Sequence, residues 1–305
     1  MRAETPAVAT PFAQVRPVSR LDGAGLPLLL PSVLYLLVMF VYPFCYGVFL
    51  SLRPAKGEGG LSLANYLAFF FDPWQARTIW VTLSLAVPNT VLTVVLALGV
   101  AYVMRRGIWL ERTITTLLVF PIALGTVLVA QGINGFYGPK GWLNQVLVAA
   151  GLPEPLRLTH NYTGVMIALF VQHFPFCFLL LLGYISGIDP AIEHAARVLG
   201  ARPWDVFRRV LWPLIAPGAA IAFALVFVMN FGVFPSAVLV GQPAGATRTI
   251  AIAAYQQAFE HYDMSMASAI AVVMGVCQLV GLLIVLLLRG RLAATGVATM
   301  GAGKR

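Results

Sequence analysis

The groups able to do chemistry in this chain are few and far apart. Its histidines are His160, His173, His194 and His261. None forms a His-Glu-x-x-His pair, no nucleophile elbow is present, and no glycine-rich phosphate loop ends in Lys-Ser/Thr. Cys45, Cys177 and Cys277 lie in apolar runs without metal-ligand spacing and read as structural thiols. Glu260, His261 and Asp263 read as a solvated loop face, because adjacent helical residues do not face one another. We therefore expect no catalytic residue, no metal site and no cofactor bound by this chain.

Two sets of polar residues remain. The first lies inside long apolar runs: Asn89, Gln131, Gln172, His173, Asn230 and Gln278. Polar groups at membrane depth face either a neighbouring helix or a water-filled path. A helix–helix hydrogen bond is worth about 1 kcal/mol or less there. Gln172-His173-Phe174-Pro175 is the strongest candidate for a path, since Pro175 removes a backbone bond and is expected to open the helix. Asn230, before Phe231-Gly232, is the next. The expected pathway set is Gln172, His173 and Asn230.

The second set is the polar interruption from Ile188 to Pro213. Asp189 is a good N-cap, and Pro190 fits the first helical position. Ile192, Ala195, Ala196 and Leu199 follow with i, i+3, i+4, i+7 spacing and make one apolar stripe. Gly200 stands where a helix ends in the left-handed conformation. Pro203 is expected to open a second short helix, with Asp205 in its first turn and Trp204, Phe207 and Leu211 on one side. Arg197, Arg202, Arg208 and Arg209 complete a basic segment that can lie on a membrane surface or dock in a partner's groove.

The elements positioning both sets must be membrane helices. Of 305 residues, 60% are hydrophobic and 10% charged, far from the balance of a soluble domain. Six uncharged runs are long enough for a span of about 20 residues: 26–52, 78–104, 113–139, 161–188, 210–247 and 264–288. The third and fifth exceed one span and must include loop. The first reads as an uncleaved helix rather than a signal peptide, preceded by a flexible tail over 1–25. Between the spans, Trp142, Leu143, Val146 and Leu147 predict a short interfacial helix, and 250–259 predicts another.

Six spans put both termini on one side. Placing them in the cytoplasm leaves 14 Arg and Lys inside and 6 outside (Arg53, Lys56, Arg77, Lys140, Arg157 and Arg248), as the positive-inside rule requires. The net charge of +9 is thus sorted by topology, and no nucleic-acid partner is expected. The 188–213 stretch faces the cytoplasm.

That stretch resembles the signature loop of permease subunits of binding-protein-dependent ABC importers. The signature reads Glu-Ala-Ala, three residues, Gly, nine residues, Ile, one residue, Leu-Pro. Ala195, Ala196, Gly200 and Pro213 fall in register, Val210 and Trp212 replace Ile and Leu, and His194 stands where Glu is expected, with Glu193 one residue earlier. Asn65-Tyr66-Leu67 and the Gly290-Arg291-Leu292 end are similar to the spermidine/putrescine-type branch.

The resemblance implies an all-α membrane protein with the six-helix transmembrane domain of a type I importer over 26–289, a coupling loop at 187–212 and cytoplasmic tails at 1–25 and 290–305. It implies a small solute, polyamine-like as first choice, with sugar, phosphonate or iron as alternatives. The implied partners are a second permease subunit, two ATPase subunits carrying ATP and Mg, an extracytoplasmic solute-binding protein and membrane lipid, all at the bacterial inner membrane. Glu193, His194, Ala195, Ala196, Gly200, Arg202 and Pro203 are the implied contacts that couple to the ATPase. An ion-gradient-driven secondary transporter is the competing class, disfavoured because the apolar runs contain no Asp, Glu, Lys or Arg. A membrane-embedded enzyme lacks a catalytic constellation.

Overall fold

The computed structural model describes residues 25–54, 60–105, 107, 111–151 and 156–301, excluding the side chains of 25–28, 111 and 289–301. The expected N-terminal tail lies outside these residues, apart from its last position. The chain divides into two compact units, 1–47 and 48–305.

The first span, Leu29–Ser51, is built from α1 (Gly25–Leu36), a π turn (Leu37–Val41) and α2 (Tyr42–Ser51). The π turn ends two residues before Pro43, and the Tyr42 N–H reaches back to the Leu37 carbonyl. A proline inside a helix lacks an N–H and its ring presses on the carbonyl four residues earlier, so a widened turn just before it relieves both problems.

In the second unit, α3 (Ala64–Phe71) leads into α4 (Pro73–Met104). Asp72 caps α4, its carboxylate accepting from the Trp74 N–H at 2.9 Å, with Pro73 in the first position. The helix therefore starts five residues before the uncharged run at Thr78 and carries Arg77 in its second turn. Next come α5 (Glu111–Tyr137), the short α6 (Trp142–Ala149), and α7 (Tyr162–Ser186), capped by Asn161. α5 breaks at Gly125, whose φ of 73° and ψ of 164° suit glycine alone. α7 runs unbroken across Pro175. The expected opening is thus absent from α7, and the interruption lies in its neighbour α5.

α8 (Pro190–Val198) is followed by α9 (Pro203–Asp205), a π turn (Val206–Leu211) and α10 (Trp212–Phe231). The expected second short helix does not stand alone. It continues through the π turn into one apolar span, Pro203–Phe231. Pro213 follows the widened turn at the same offset as Pro43 follows the first. The long fifth apolar run ends its helix at Phe231 and finishes as α11 (Pro235–Leu239) and loop. Then come α12 (Ile250–Tyr255), a π turn (Gln256–Glu260) and α13 (Met264–Gly301), whose backbone runs through most of the expected C-terminal tail.

Lipid tails are as apolar as leucine, so membrane helices associate through close packing and hydrogen bonds rather than the hydrophobic effect. α4 shows how. Its face toward α7 and α10 is small and fully buried, with Thr82, Ala86, Thr90, Thr93, Ala97 and Ala101. α10 answers with Ile215, Ala219, Ala222 and Val226 at helical spacing. Thr82 and Thr90 bond carbonyls of their own helix, both at 2.7 Å, so close approach leaves no hydroxyl unsatisfied. α4, α7 and α10 are the interior of this unit. α5 lies against α7, and α13 against α10.

Candidate functional site

The site is the connection between α7 and α10. Asp189 Oδ1 accepts from the Ala191 N–H at 2.8 Å, and Pro190 begins α8, as the local sequence dictates. The helix ends in a Schellman motif: Gly200 N–H donates to Arg197 O at 2.9 Å and Ala201 N–H to Ala196 O at 3.1 Å. Gly200 has φ +81°, and open space surrounds the position of an added Cβ. A side chain there meets a conformational penalty and no clash.

Glu193 and His194, adjacent in sequence, point to opposite environments. Glu193 is 8% exposed. Its Oε1 lies 2.9 Å from Arg105 Nη2, at the end of α4, and its Oε2 lies 3.3 Å from Arg197 Nη2. The Arg105 side chain is itself 5% exposed. Removing two charges from water is costly unless they meet at good geometry, so this pair fastens the first turn of α8 to α4. Arg105, Pro190, Glu193, His194 and Arg197 line a pocket of about 340 Å³.

The outward side carries His194, Ala195, Ala191, Ile192, Val198 and Leu199, all exposed. Ala196 faces the other way and packs, half-buried, on the core with Ala201. Arg202, Pro203 and Trp204 are exposed beyond the turn. Of the expected coupling residues, the structure thus gathers His194, Ala195, Arg202 and Pro203 on the surface. Gly200 shapes the turn between them, and Glu193 and Ala196 hold α8 from within. A bulky probe of the docking face belongs at Ala195, since one at Ala196 would disturb internal packing.

The membrane polar residues form a separate group. His173 Nδ1 and Asn230 Oδ1 are 2.7 Å apart, and Asn230 Nδ2 donates to Thr90 Oγ1 at 2.9 Å. This buried chain joins α7, α10 and α4. Asn89 Nδ2 donates to the Met166 carbonyl at 2.8 Å. Gln172, half-buried, donates from Nε2 to Ser236 Oγ at 2.6 Å and to the Thr126 carbonyl, beside the α5 break, at 3.2 Å.

Sequence reasoning missed Arg105, Thr90 and a third site, Arg248. Arg248 is 5% exposed in the connection between α10 and α13. Its Nε donates to Gln256 Oε1 at 2.7 Å, Nη1 to the Trp74 carbonyl and Nη2 to Gln75 Oε1 at 3.3 Å, and its guanidinium lies over the Trp74 ring. Burial pulls its pKa below the ordinary arginine value, while Asp72 and Glu260 act in the opposite sense. No local pattern marks such a residue, because its partners lie on two other elements.

Residues 93–294 fit the binding-protein-dependent transport system inner membrane component. The chain belongs to this family. The permease is 31% identical over 183 residues to the spermidine/putrescine transport system permease protein PotB of Haemophilus influenzae, a match covering 59% of this chain and 64% of PotB. It is 25% identical to the trehalose transport system permease protein SugA of Mycobacterium tuberculosis, over 88% of this chain and 89% of SugA. A bacterial alginate ABC transporter, solved with an alginate-pentasaccharide-bound periplasmic protein, shares the fold with a TM-score of 0.74 at 22% identity, covering 88% of this chain and 95% of that one. The permease is thus a multi-pass inner-membrane protein, and its relatives carry names of chemically different solutes.

Proposed function

We propose that the permease forms half of the path for a small polar solute and couples it to a pair of separate ATPase subunits through α8 and the turn at Gly200. The observation that carries this reading is α8 itself: both ends capped, one acid clasped to α4, and an outward face of small and apolar residues left uncovered by the described residues. A second permease subunit completes the path, and a solute-binding protein delivers from outside. ATP closes the ATPase pair, α8 is carried with it, and the clasp to Arg105 passes the movement to α4.

Both termini lie in the cytoplasm in this reading, supported by the distribution of basic residues. With Cys45, Cys177 and Cys277 replaced, Lys140→Cys reacts with an impermeant thiol reagent in sealed cells and Arg202→Cys does not. The reverse pattern overturns the orientation.

Similarity to PotB supports a polyamine-like solute. A neutral polyhydroxyl solute is the second reading, favoured by the neutral groups around Gln172, Thr126 and Ser236 and by acids that stand only at the ends of the spans. A polyamine would have to find its carboxylates on the partner permease. Uptake in vesicles with the cognate binding protein decides: ATP-dependent accumulation of spermidine supports the first, that of a sugar the second. Uptake driven by a proton gradient without ATP overturns the importer mechanism.

A further inference from the structure

We infer that the partner surface seating α8 is an apolar groove rimmed with carboxylates, on the ATPase subunit. The inference rests on the coupling role proposed above and adds the chemistry of the partner.

The acids of the 189–213 segment are already engaged within the chain. Asp189 caps α8. Glu193 has an arginine on each oxygen. Asp205 Oδ1 lies 3.5 Å from Arg209 Nε. Arg197 and Arg209 share in those pairs, and the remaining arginines do not. Arg202 and Arg208 are exposed and make no ion pair or hydrogen bond among the described residues. The surface therefore offers positive charge without matching negative charge, and a complementary partner supplies the acids.

Large apolar side chains stand next to these arginines in the sequence. Val198 and Leu199 are each 87% exposed and Trp204 66%. Large apolar side chains grouped at such exposure mark an interaction site. An anionic bilayer surface also accepts basic and apolar groups together. The shape of α8 favours a protein. The middle of its outward face is Ala191 and Ala195, whereas a lipid-seeking helix presents large side chains there. Small residues let a backbone approach a solid wall closely, and lipid tails offer no such wall. The caps and the Arg105 clasp fix the segment before binding, which lowers the ordering cost of fitting a preformed groove. α8 has nine residues, so the groove is about 13 Å long.

The test uses the full chain with the ATPase subunit that co-purifies with it, reconstituted in nanodiscs of uncharged phosphatidylcholine. Arg202→Glu with Arg208→Glu should weaken ATPase binding by at least about tenfold and remove most of its salt dependence, at unchanged melting temperature. Arg202→Gln with Arg208→Gln should weaken it less, in the same direction, and exchanging rim carboxylates of the ATPase for lysine should restore the Glu pair. Binding of the Glu pair within about twofold of the parent would overturn the acidic rim. So would a loss of binding seen in phosphatidylglycerol discs alone, which would assign the cations to lipid. Ala195→Trp separates the two levels. If it releases the ATPase while the Glu pair does not, only the rim fails; if neither releases it, the coupling reading fails as well.

Discussion

The two connections around α10 treat arginine in opposite ways. The one before α10 leaves Arg202 and Arg208 in solvent and keeps Val198, Leu199 and Trp204 uncovered. The one after α10 folds back on α4. It buries Arg248 among Trp74, Gln75 and Gln256, and Ile250 N–H donates to Thr82 Oγ1 at 2.9 Å. The buried guanidinium has its donors satisfied by neutral oxygens of its own chain and serves geometry. Arg202 and Arg208 have no acceptor among the described residues and, in the proposed docking, serve a partner. Arg105 stands between these cases, buried like Arg248 but paired to a charge on the exposed connection.

The contrast breaks most sharply at Gly200. Its φ of +81° costs a β-branched residue about 1–2 kcal/mol or more. Gly200→Val should leave the protein inserted but reduce binding-protein-stimulated ATP hydrolysis by more than about tenfold, and Gly200→Ala should reduce it less. Full stimulation in the valine variant would remove α8 from the coupling path.

Arg105→Gln comes next. Removing one partner of a buried pair costs about 3–5 kcal/mol when the other charge is left unpaired; here Arg197 still holds one oxygen of Glu193, so the cost should fall below that range. Because α8 is then freed from α4, stimulated hydrolysis should fall several-fold while the ATPase stays bound. Adding Glu193→Gln should recover part of the loss, since no half-paired buried carboxylate remains. No recovery would mean that the pair supplies stability without transmitting movement.

Arg248→Leu should act on stability alone. It leaves the acceptors at Gln75, Gln256 and Trp74 without their donor, a loss of about 2 kcal/mol, read as a lower melting temperature with ATPase affinity unchanged. A weaker ATPase complex at constant melting temperature would erase the distinction between the connections. Asn230→Leu, in the His173–Asn230–Thr90 chain, should cost about 1 kcal/mol and impair helix packing before transport. A variant of normal stability that fails in transport would return Asn230 to the solute path. His194→Ala is the mildest, with ATPase affinity expected within about twofold of the parent, because the exposed arginines Arg202 and Arg208 are untouched.

What the sequence made legible was local or long. Asp189, Pro190 and Gly200 define α8 through bonds to residues within a few positions, so its caps could be read directly. The six spans announced themselves by uncharged length. Contacts between helices could not be read that way. His173 meets Asn230 57 positions away, and Asn230 meets Thr90 140 positions away. Pro175 looked like a break, yet α7 tolerates it while α5 breaks at Gly125, because neighbouring helices rather than the proline alone decide where a membrane helix opens. Glu193 and His194 were read as one docking surface, and the helical turn of about 100° per residue sends one inward and the other out.

The widened turn at Val206–Leu211 acts as a phase shifter. It stores one residue more than an α turn, so everything beyond Trp212 is set back by about 100° of rotation and 1.5 Å of advance relative to a continuous helix from Pro203. A helical wheel drawn straight through the segment would therefore aim Trp204 and Arg208 wrongly with respect to Ile215 and Ala219. Deleting one residue from the turn would leave a regular helix with its two ends in the same relative orientation, whereas closing the turn with every residue kept would swing the loop away from its seat by about 100°. The direction in which this loop faces therefore depends on the turn staying wide, which Pro213 favours by lacking an N–H.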